Sequence, residues 1–472
     1  MPESGTVVLD VGKTHAKLSL WSGEGGLLAR EIHANASVDS GPYRALDTDG
    51  IEAWLATTLS NFSQIAPITH IIPVGHGAAA AVIRQGALAC APLDYEQPIP
   101  PDIHAQYLRL RDPFEHTGSP ALPNGLNLGA QLYWLESLMP SLWDGDAAFI
   151  PWAQYWAWVL CGVAASELTS LGCHTDLWRP REKRLSDLAM GRGWAKRLAP
   201  LRAAHEVLGR IRPEWVRRTG LAQDTRVLCG LHDSNAALLA ARGFAEISDH
   251  DGTVVSTGTW FLGLRSDAGM NGASHPALPA HRDCLINVDV QGRPVPSARF
   301  MGGREIDLLC AGEHAVGSPR NQAAWLKSAA AVIQSGGRVL PTLAPGVGPY
   351  PHARHRWDAK PSDALQRQAA IELYAALLTD TCLDLIGTRD RILIEGRFAA
   401  AAIFPRALAA LRPQAQVFTS EAADGVAYGA LRLLDPHLPP PGVARRVVPL
   451  PVDCSAYREA WRHEAGRLDA TA

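Results

Sequence analysis

The chain has 472 residues, 47% hydrophobic and 19% charged, with a formal net charge of -3. A single hydrophobic core stops growing at roughly 250–300 residues, so two domains are expected, with three as the upper option. The near balance of 44 Lys+Arg against 47 Asp+Glu excludes the basic field that nucleic-acid binding requires.

The first residues run straight into a strand-like segment from Val7 to Leu9 without a signal-peptide core. No stretch approaches the ~20 apolar residues that cross a bilayer, which makes a cytoplasmic protein with no membrane partner the expectation. Asp10-Val11-Gly12-Lys13-Thr14 then turns the chain into Ala16 to Trp21, the pattern of a hairpin whose tight turn calls for Gly12. Gly12-Lys13-Thr14 is not a P-loop, because that motif needs a glycine five residues before the lysine and position 8 is Val8. Ile68 to Val74 reads as a strand ending in Gly75-His76-Gly77, and the alanines from Ala78 to Arg84 suggest a helix.

The proline-rich region Pro92 to Pro123 reads as an irregular excursion that could shape a substrate pocket. Asn127 to Leu138 has helical spacing, as has Tyr155 to Gly162, whose tryptophans are expected in the core rather than as sugar platforms. A strand from Arg226 to Cys229 leads into Gly230-Leu231-His232-Asp233-Ser234-Asn235 and a helix from Ala236 to Ala241. Asp233 therefore sits at the carboxyl end of a strand, where open α/β sheets place ligands.

A second hairpin pattern runs from Thr253 to Ser256 and from Trp260 to Leu264, turned by Thr257-Gly258-Thr259. It echoes the first and suits two duplicated halves. A lobe boundary is drawn at residues 242 to 252, giving lobes 1–243 and 244–440 with a peripheral tail at 441–472. Farther on come a long helix, Ala364 to Leu385, and a strand from Arg391 to Glu395 ending at Gly396. A strand from Gln416 to Thr419 and a helix from Asp424 to Leu434 complete an α/β pattern. The eight cysteines lack CxxC pairs and zinc spacing, and are expected as reduced, structural thiols.

Glycine-turned hairpins can bring backbone N–H groups close to phosphate oxygens, with Lys13 and Lys17 adding positive charge. Asp10 is placed either to hold Mg2+ through water or simply to cap a turn. Asp233, taken alone, is either a catalytic carboxylate or the N-cap of the helix that follows.

Asp10 to Lys17, the loop 230 to 235 and Ser256-Thr257-Gly258-Thr259-Trp260, in this order, together resemble the FGGY carbohydrate kinases over residues 5 to 435. The resemblance implies two actin-like, ribonuclease-H-like ATPase lobes with ATP and sugar meeting in an interlobe cleft that closes before transfer. It implies Asp233 as general base and Mg2+ near Asp10. The phosphates fall to Gly12, Lys13, Thr14 and Lys17 on one side and to Thr257, Gly258 and Thr259 on the other. Closest in style are the L-rhamnulose and L-fuculose kinases, in which His232 and Gly77 would touch the sugar; outside the resemblance both read as structural residues. The family's adenosine motif carries consecutive glycines, whereas here Ile394-Glu395-Gly396-Arg397-Phe398 carries over only Gly396. Gly302-Gly303-Arg304-Glu305 is expected near the nucleotide.

The implied activity is ATP-dependent phosphorylation of a ketose at a primary hydroxyl. Alternatives are a kinase for xylulose, ribulose or a polyol, an actin-like ATPase, and a sugar-sensing regulator. The regulator would normally append a DNA-binding module, for which strand sequence beginning at Thr6 leaves no room. The partners implied are a small sugar and ATP, with a homodimer among the open options.

Overall fold

The computed structural model describes residues 4–266, 277–310, 322–420, 424–440 and 442–471; Pro441, at the boundary drawn above, lies outside them. Two compact units result. One holds Met1–Ala240 with Ile286–Pro294 and Asp424–Pro439, the other Ala241–Leu285, Val295–Ala423 and Pro440–Ala472. Thus segments 286–294 and 424–439 return to the first unit.

In the first unit, the strand Gly5–Val11 pairs antiparallel with His15–Trp21, which pairs antiparallel with Leu27–Ala34. On its other side Gly5–Val11 runs parallel to Ile68–Gly75, followed by Arg226–Leu228. The central strand is buried along nearly its whole length, as its Val and Leu content dictates for a strand covered on both faces. Two helices cover the sheet. Thr48–Ser63 starts where the Asp47 carboxylate accepts the Gly50 amide, and Trp152–Cys161 is buried throughout except at its last residue. Trp152, Trp156 and Trp158 lie in this core, as expected.

The second unit repeats the plan. Gly252–Thr257 pairs antiparallel with Phe261–Ser266 and the latter with Pro294–Phe300, while Arg391–Gly396 and then Gln416–Thr419 run parallel on the other side. Each unit therefore has three antiparallel strands followed by two parallel ones, in spatial order 3-2-1-4-5. The faint hairpin echo is the visible part of this repeated topology. The long helix Ala364–Leu385 is buried on all sides from Gln368 to Leu383 and forms the centre of this unit's core. Its Glu372 carboxylate accepts the amides of Ile403 and Phe404 at 2.7 and 2.9 Å, which caps the helix Phe404–Leu411.

Three expectations change. Ala80–Arg84 is a strand, not a helix, pairing antiparallel with Ala148–Pro151. Alanine's helical preference, worth at most a few tenths of a kcal/mol per residue against most alternatives, yields to tertiary pairing on a segment buried along most of its length. The proline-rich excursion contains helices, Pro101–Leu108 and Phe114–Thr117, each starting next to a proline whose fixed φ suits a first turn. The tail carries the helix Ser455–Ala470, which docks through buried Tyr457, Trp461 and Ala465. Trp461 donates its Nε1 proton to Val339 O at 2.6 Å. One buried aromatic face makes the segment part of the second unit's core rather than periphery.

Candidate active site

The register of the first sheet gathers the candidate residues. Val11 lies opposite Gly75, and Gly75 opposite His232, whose short strand Leu231–His232 continues along Ile68–Gly75. All three strands run parallel, so Asp10, His76 and Asp233 come to one carboxyl edge, two strand spacings of ~4.8 Å across. Gly230 makes this possible: its φ is 77° and a β-carbon there would run into the Pro73 carbonyl.

Asp233 opens the helix Asp233–Ala241 as its first residue. Its Oδ1 accepts the Ser234 amide at 2.6 Å and the Ser234 hydroxyl at 3.2 Å, and lies 3.1 Å from His232 Nε2. Asn235 Nδ2 lies 3.2 Å from His232 Nδ1, and His232 Nε2 is hydrogen-bonded with Cys173 Sγ at 3.3 Å. Burial holds the His232 ring below its usual pKa, with Asp233 opposing, so the imidazole is neutral at pH 7. Oδ1 is thus occupied by its own loop, while Oδ2 has no partner among the described residues.

Gly77 lies against this loop. A β-carbon there would stand 3.0 Å from His232 Nε2 and closer still to Cys173. Gly77 is buried after the strand Ile68–Gly75, not at a helix start. Replacing it with alanine is expected to displace His232 and lower kcat/KM about tenfold, while the melting temperature moves by only a few degrees, as steady-state kinetics beside a thermal melt would show.

Asp10 pairs in register with Lys17, whose ammonium stands 3.9 Å from Asp10 Oδ2. Its desolvated setting pushes the carboxyl up to about 7, with Asp233 adding and Lys17 opposing. No cluster of three or more metal-ligating side chains occurs among the described residues. That still fits a cation which takes one or two carboxylates and keeps its waters.

The hairpin turns differ from expectation in detail. The Gly12 amide donates to His15 O at 3.0 Å and the Gly258 amide to Trp260 O at 3.0 Å, so both N–H groups are spent inside their own turns. Neither glycine has a positive φ; a β-carbon on Gly12 would come within 3.1 Å of His15 O, and close approach is its requirement. Thr14 and Thr259 are exposed at the two tips. The Thr257 hydroxyl is buried, bonded to Glu395 O and to the Phe398 amide. Lys13, expected at a phosphate, gives its ammonium to Asp94.

Gly396 has φ 87°, and a β-carbon would strike Thr257 O. Beside it the Glu395 carboxyl is buried and pushed up to about 7, while Arg397 is exposed and pairs with Asp307 at 2.8 Å. Gly302 and Gly303 open the helix Gly302–Cys310, with Gly303 packed so tightly on Gly258 that a β-carbon could not fit.

One residue escaped the sequence reading. His76 has both ring nitrogens buried without a partner among the described residues, and burial pushes its pKa down to about 4. It lies between Tyr95 and Trp152, at ring distances of 5.3 and 5.9 Å. The only signal was its position between two glycines at a strand end.

Two units sharing one 3-2-1-4-5 sheet plan, each with a hairpin turn at the start, define an actin-like phosphotransferase fold. Known structures agree. A carbohydrate kinase from Novosphingobium aromaticivorans is 50% identical, with 99% of each chain covered and a TM-score of 0.94. A xylulose kinase from Lactobacillus acidophilus, at 14% identity, covers 99% of both chains with a TM-score of 0.81. A Plasmodium falciparum glycerol kinase with ADP, at 12% identity, covers 98% of both with 0.78. Residues 249–441 match the model of the C-terminal domain of FGGY carbohydrate kinases. No curated protein matches by sequence.

The chain belongs to the FGGY carbohydrate kinases, phosphotransferases with an alcohol group as acceptor. This does not favour the regulator reading. Among the described residues no helix is long and apolar enough to cross a membrane.

Proposed function

We propose that this kinase transfers the γ-phosphoryl group of ATP to the primary hydroxyl of a ketose, a six-carbon deoxyketulose such as L-rhamnulose or L-fuculose, with Asp233 as general base. The observation that carries the reading is the division of labour on one carboxylate. Oδ1 is held by the Ser234 amide and hydroxyl beside His232, and Oδ2 is left open to accept a proton. As the sugar oxygen bonds to the γ-phosphorus, the bridging bond to ADP breaks and the hydroxyl proton passes to Oδ2.

His232 and Gly77 are assigned to the sugar side, joined by His76, whose two unpaired nitrogens can meet sugar hydroxyls. A hydroxyl-bearing ligand would relieve that buried deficit. Thr14 and Lys17 on one turn and Thr259 on the other are assigned to the phosphates. Gly12 and Gly258 supply room rather than donors, the buried Thr257 shapes its turn, and Gly396 marks the nucleotide end. A domain division near residue 243 belongs to the same reading.

Mg2+ is assigned to Asp10 through water. The like charges of Asp10 and Asp233 suit a divalent cation, which when bound neutralises phosphate charge. Because Asp10's folded value of about 7 exceeds its ordinary 3.8, its contribution to folding is fullest below pH 3.8 and is lost as pH rises through 7. Asp10→Asn is therefore expected to be more heat-stable than the parent at pH 8, equal to it at pH 4, and to need far more Mg2+ for half-maximal rate. Melting curves at both pH values and a Mg2+ titration test this.

Purified protein with Mg-ATP and a panel of L-rhamnulose, L-fuculose, D-xylulose and D-ribulose decides the substrate. ADP release strongest with a deoxyketulose is expected. If D-xylulose wins, the deoxyketulose assignment is wrong; if no member exceeds the sugar-free background, the ketose reading falls.

A further inference from the structure

Lys13 is the residue whose setting departs most from its expected task. Its Nζ lies 2.5 Å from Asp94 Oδ2, 3.6 Å from Glu96 Oε2 and 3.4 Å from the Ser37 hydroxyl oxygen. The Ser37 hydroxyl donates to the same Asp94 oxygen, and Asp94 Oδ1 accepts the Glu96 amide at 3.0 Å. The Asp94 side chain is 3% exposed and that of Lys13 17%. Burial pushes the Asp94 carboxyl up, yet Lys13, Ser37 and the Glu96 amide together hold it below its ordinary value.

These contacts continue into a closed circuit. Lys13 Nζ lies 5.5 Å from the centre of the Tyr95 ring, Tyr95 meets His76 edge-on, and His76 lies over Trp152. Trp152 then donates its Nε1 proton to Val11 O at 3.2 Å, two residues before Lys13. The first hairpin turn and the segment 92–97 are thereby fastened to each other around the unpaired imidazole of His76.

We propose that Lys13 and Asp94 form a buried ion pair that positions the sugar-side wall, Tyr95 and His76, against the first hairpin, and that Lys13 is not a phosphate ligand. Asp94 and Lys13 are positioning residues, coupling the shape of the sugar pocket to the turn that precedes Lys17. The inference rests on the kinase reading for its kinetic consequence only. A buried pair with two supporting donors, the Ser37 hydroxyl and the Glu96 amide, does not exchange freely, because releasing Lys13 to a phosphate would leave Asp94 charged in a desolvated site.

The test uses full-length Lys13→Met, Asp94→Asn, the double variant and the milder Lys13→Arg, which keeps the pair. Hydrogen exchange should quicken about tenfold at residues 74–79 in either single variant, with no further gain in the double variant and near-parent protection in Lys13→Arg. Binding of the Mg2+ complex of the non-hydrolysable analogue AMP-PNP, measured by calorimetry, should stay within about twofold of the parent in Lys13→Met, and on whichever panel ketose is turned over the sugar KM should rise about tenfold while kcat moves less than about threefold. An analogue bound about tenfold more weakly by Lys13→Met would make Lys13 a phosphate ligand and overturn the inference, as would quickened exchange confined to the substituted peptide itself. If the parent turns over no ketose, the functional reading fails separately, and exchange and analogue binding still decide this one.

Discussion

Asp233→Asn is expected to lower kcat by about a thousandfold, the range for loss of a positioned general base, while the sugar KM changes by less than about threefold. Asparagine keeps an oxygen that can accept from the Ser234 amide and hydroxyl, so the loop Leu231–Asn235 has no reason to rearrange. What is lost is the open Oδ2, because an amide nitrogen in its place cannot take a proton. A melting temperature within a few degrees of the parent would establish that the loss is chemical. A kcat within tenfold of the parent, at unchanged stability, would remove Asp233 from the mechanism. It would leave a phosphoryl transfer that needs only positioning and charge neutralisation.

The second large effect is structural and lies far from the chemistry in sequence. Asp380, on the central helix of the second unit, is completely buried and surrounded by guanidinium groups. Arg412 Nη1 and Arg458 Nη2 donate to Oδ1 at 3.0 Å each, and Arg458 Nε and Arg462 Nη2 donate to Oδ2 at 2.6 Å each. Burial alone pushes this carboxyl up, and the three arginines work against it. Asp384 shares the same arginines at the edge of the network. Asp380→Ala removes the buried one of the two carboxylates that Arg412, itself 2% exposed, pairs with, and leaves it only the half-exposed Asp384. Removing one member of a buried pair costs about 3–5 kcal/mol, because the remaining charge stays desolvated.

Since two units need not unfold together, the measurement should be local. Hydrogen exchange across Ser455–Ala470 and the helix Ala364–Leu385 is expected to accelerate strongly in Asp380→Ala, while Gly5–Val11 in the first unit stays protected. A loss below about 1 kcal/mol would mean that Asp384 alone compensates the three arginines, and the network would then resemble the surface ion pairs that contribute little.

Much of this protein could be read without coordinates, for specific reasons. The hairpins at Asp10–Lys17 and Ser256–Trp260 are local, set by short apolar runs around small turn residues. The helix Ala364–Leu385 was expected at the residues where it stands, since 22 residues of alanine- and leucine-rich sequence leave little ambiguity, and in the structure the Asp363 carboxylate caps its start. Asp233 stood out because a strand, a glycine and a helix met around it. The segment Ala80–Arg84 went the other way: its alanines favour a helix locally, and only the partner strand Ala148–Pro151 explains its extended form.

By itself the sequence determined the α/β class, the two hairpin turns, the strand-end position of Asp233 and the family. Its signals there are local, carried by neighbouring residues through spacing and turn chemistry. Only the tertiary structure decided that Lys13 is engaged by Asp94, 81 residues away, that His76 stands with two unpaired nitrogens beside Tyr95, and that Trp461 seals the second core. Those outcomes depend on which distant segments share one buried volume. Desolvation gives a charge or an imidazole its meaning, and no local pattern encodes it.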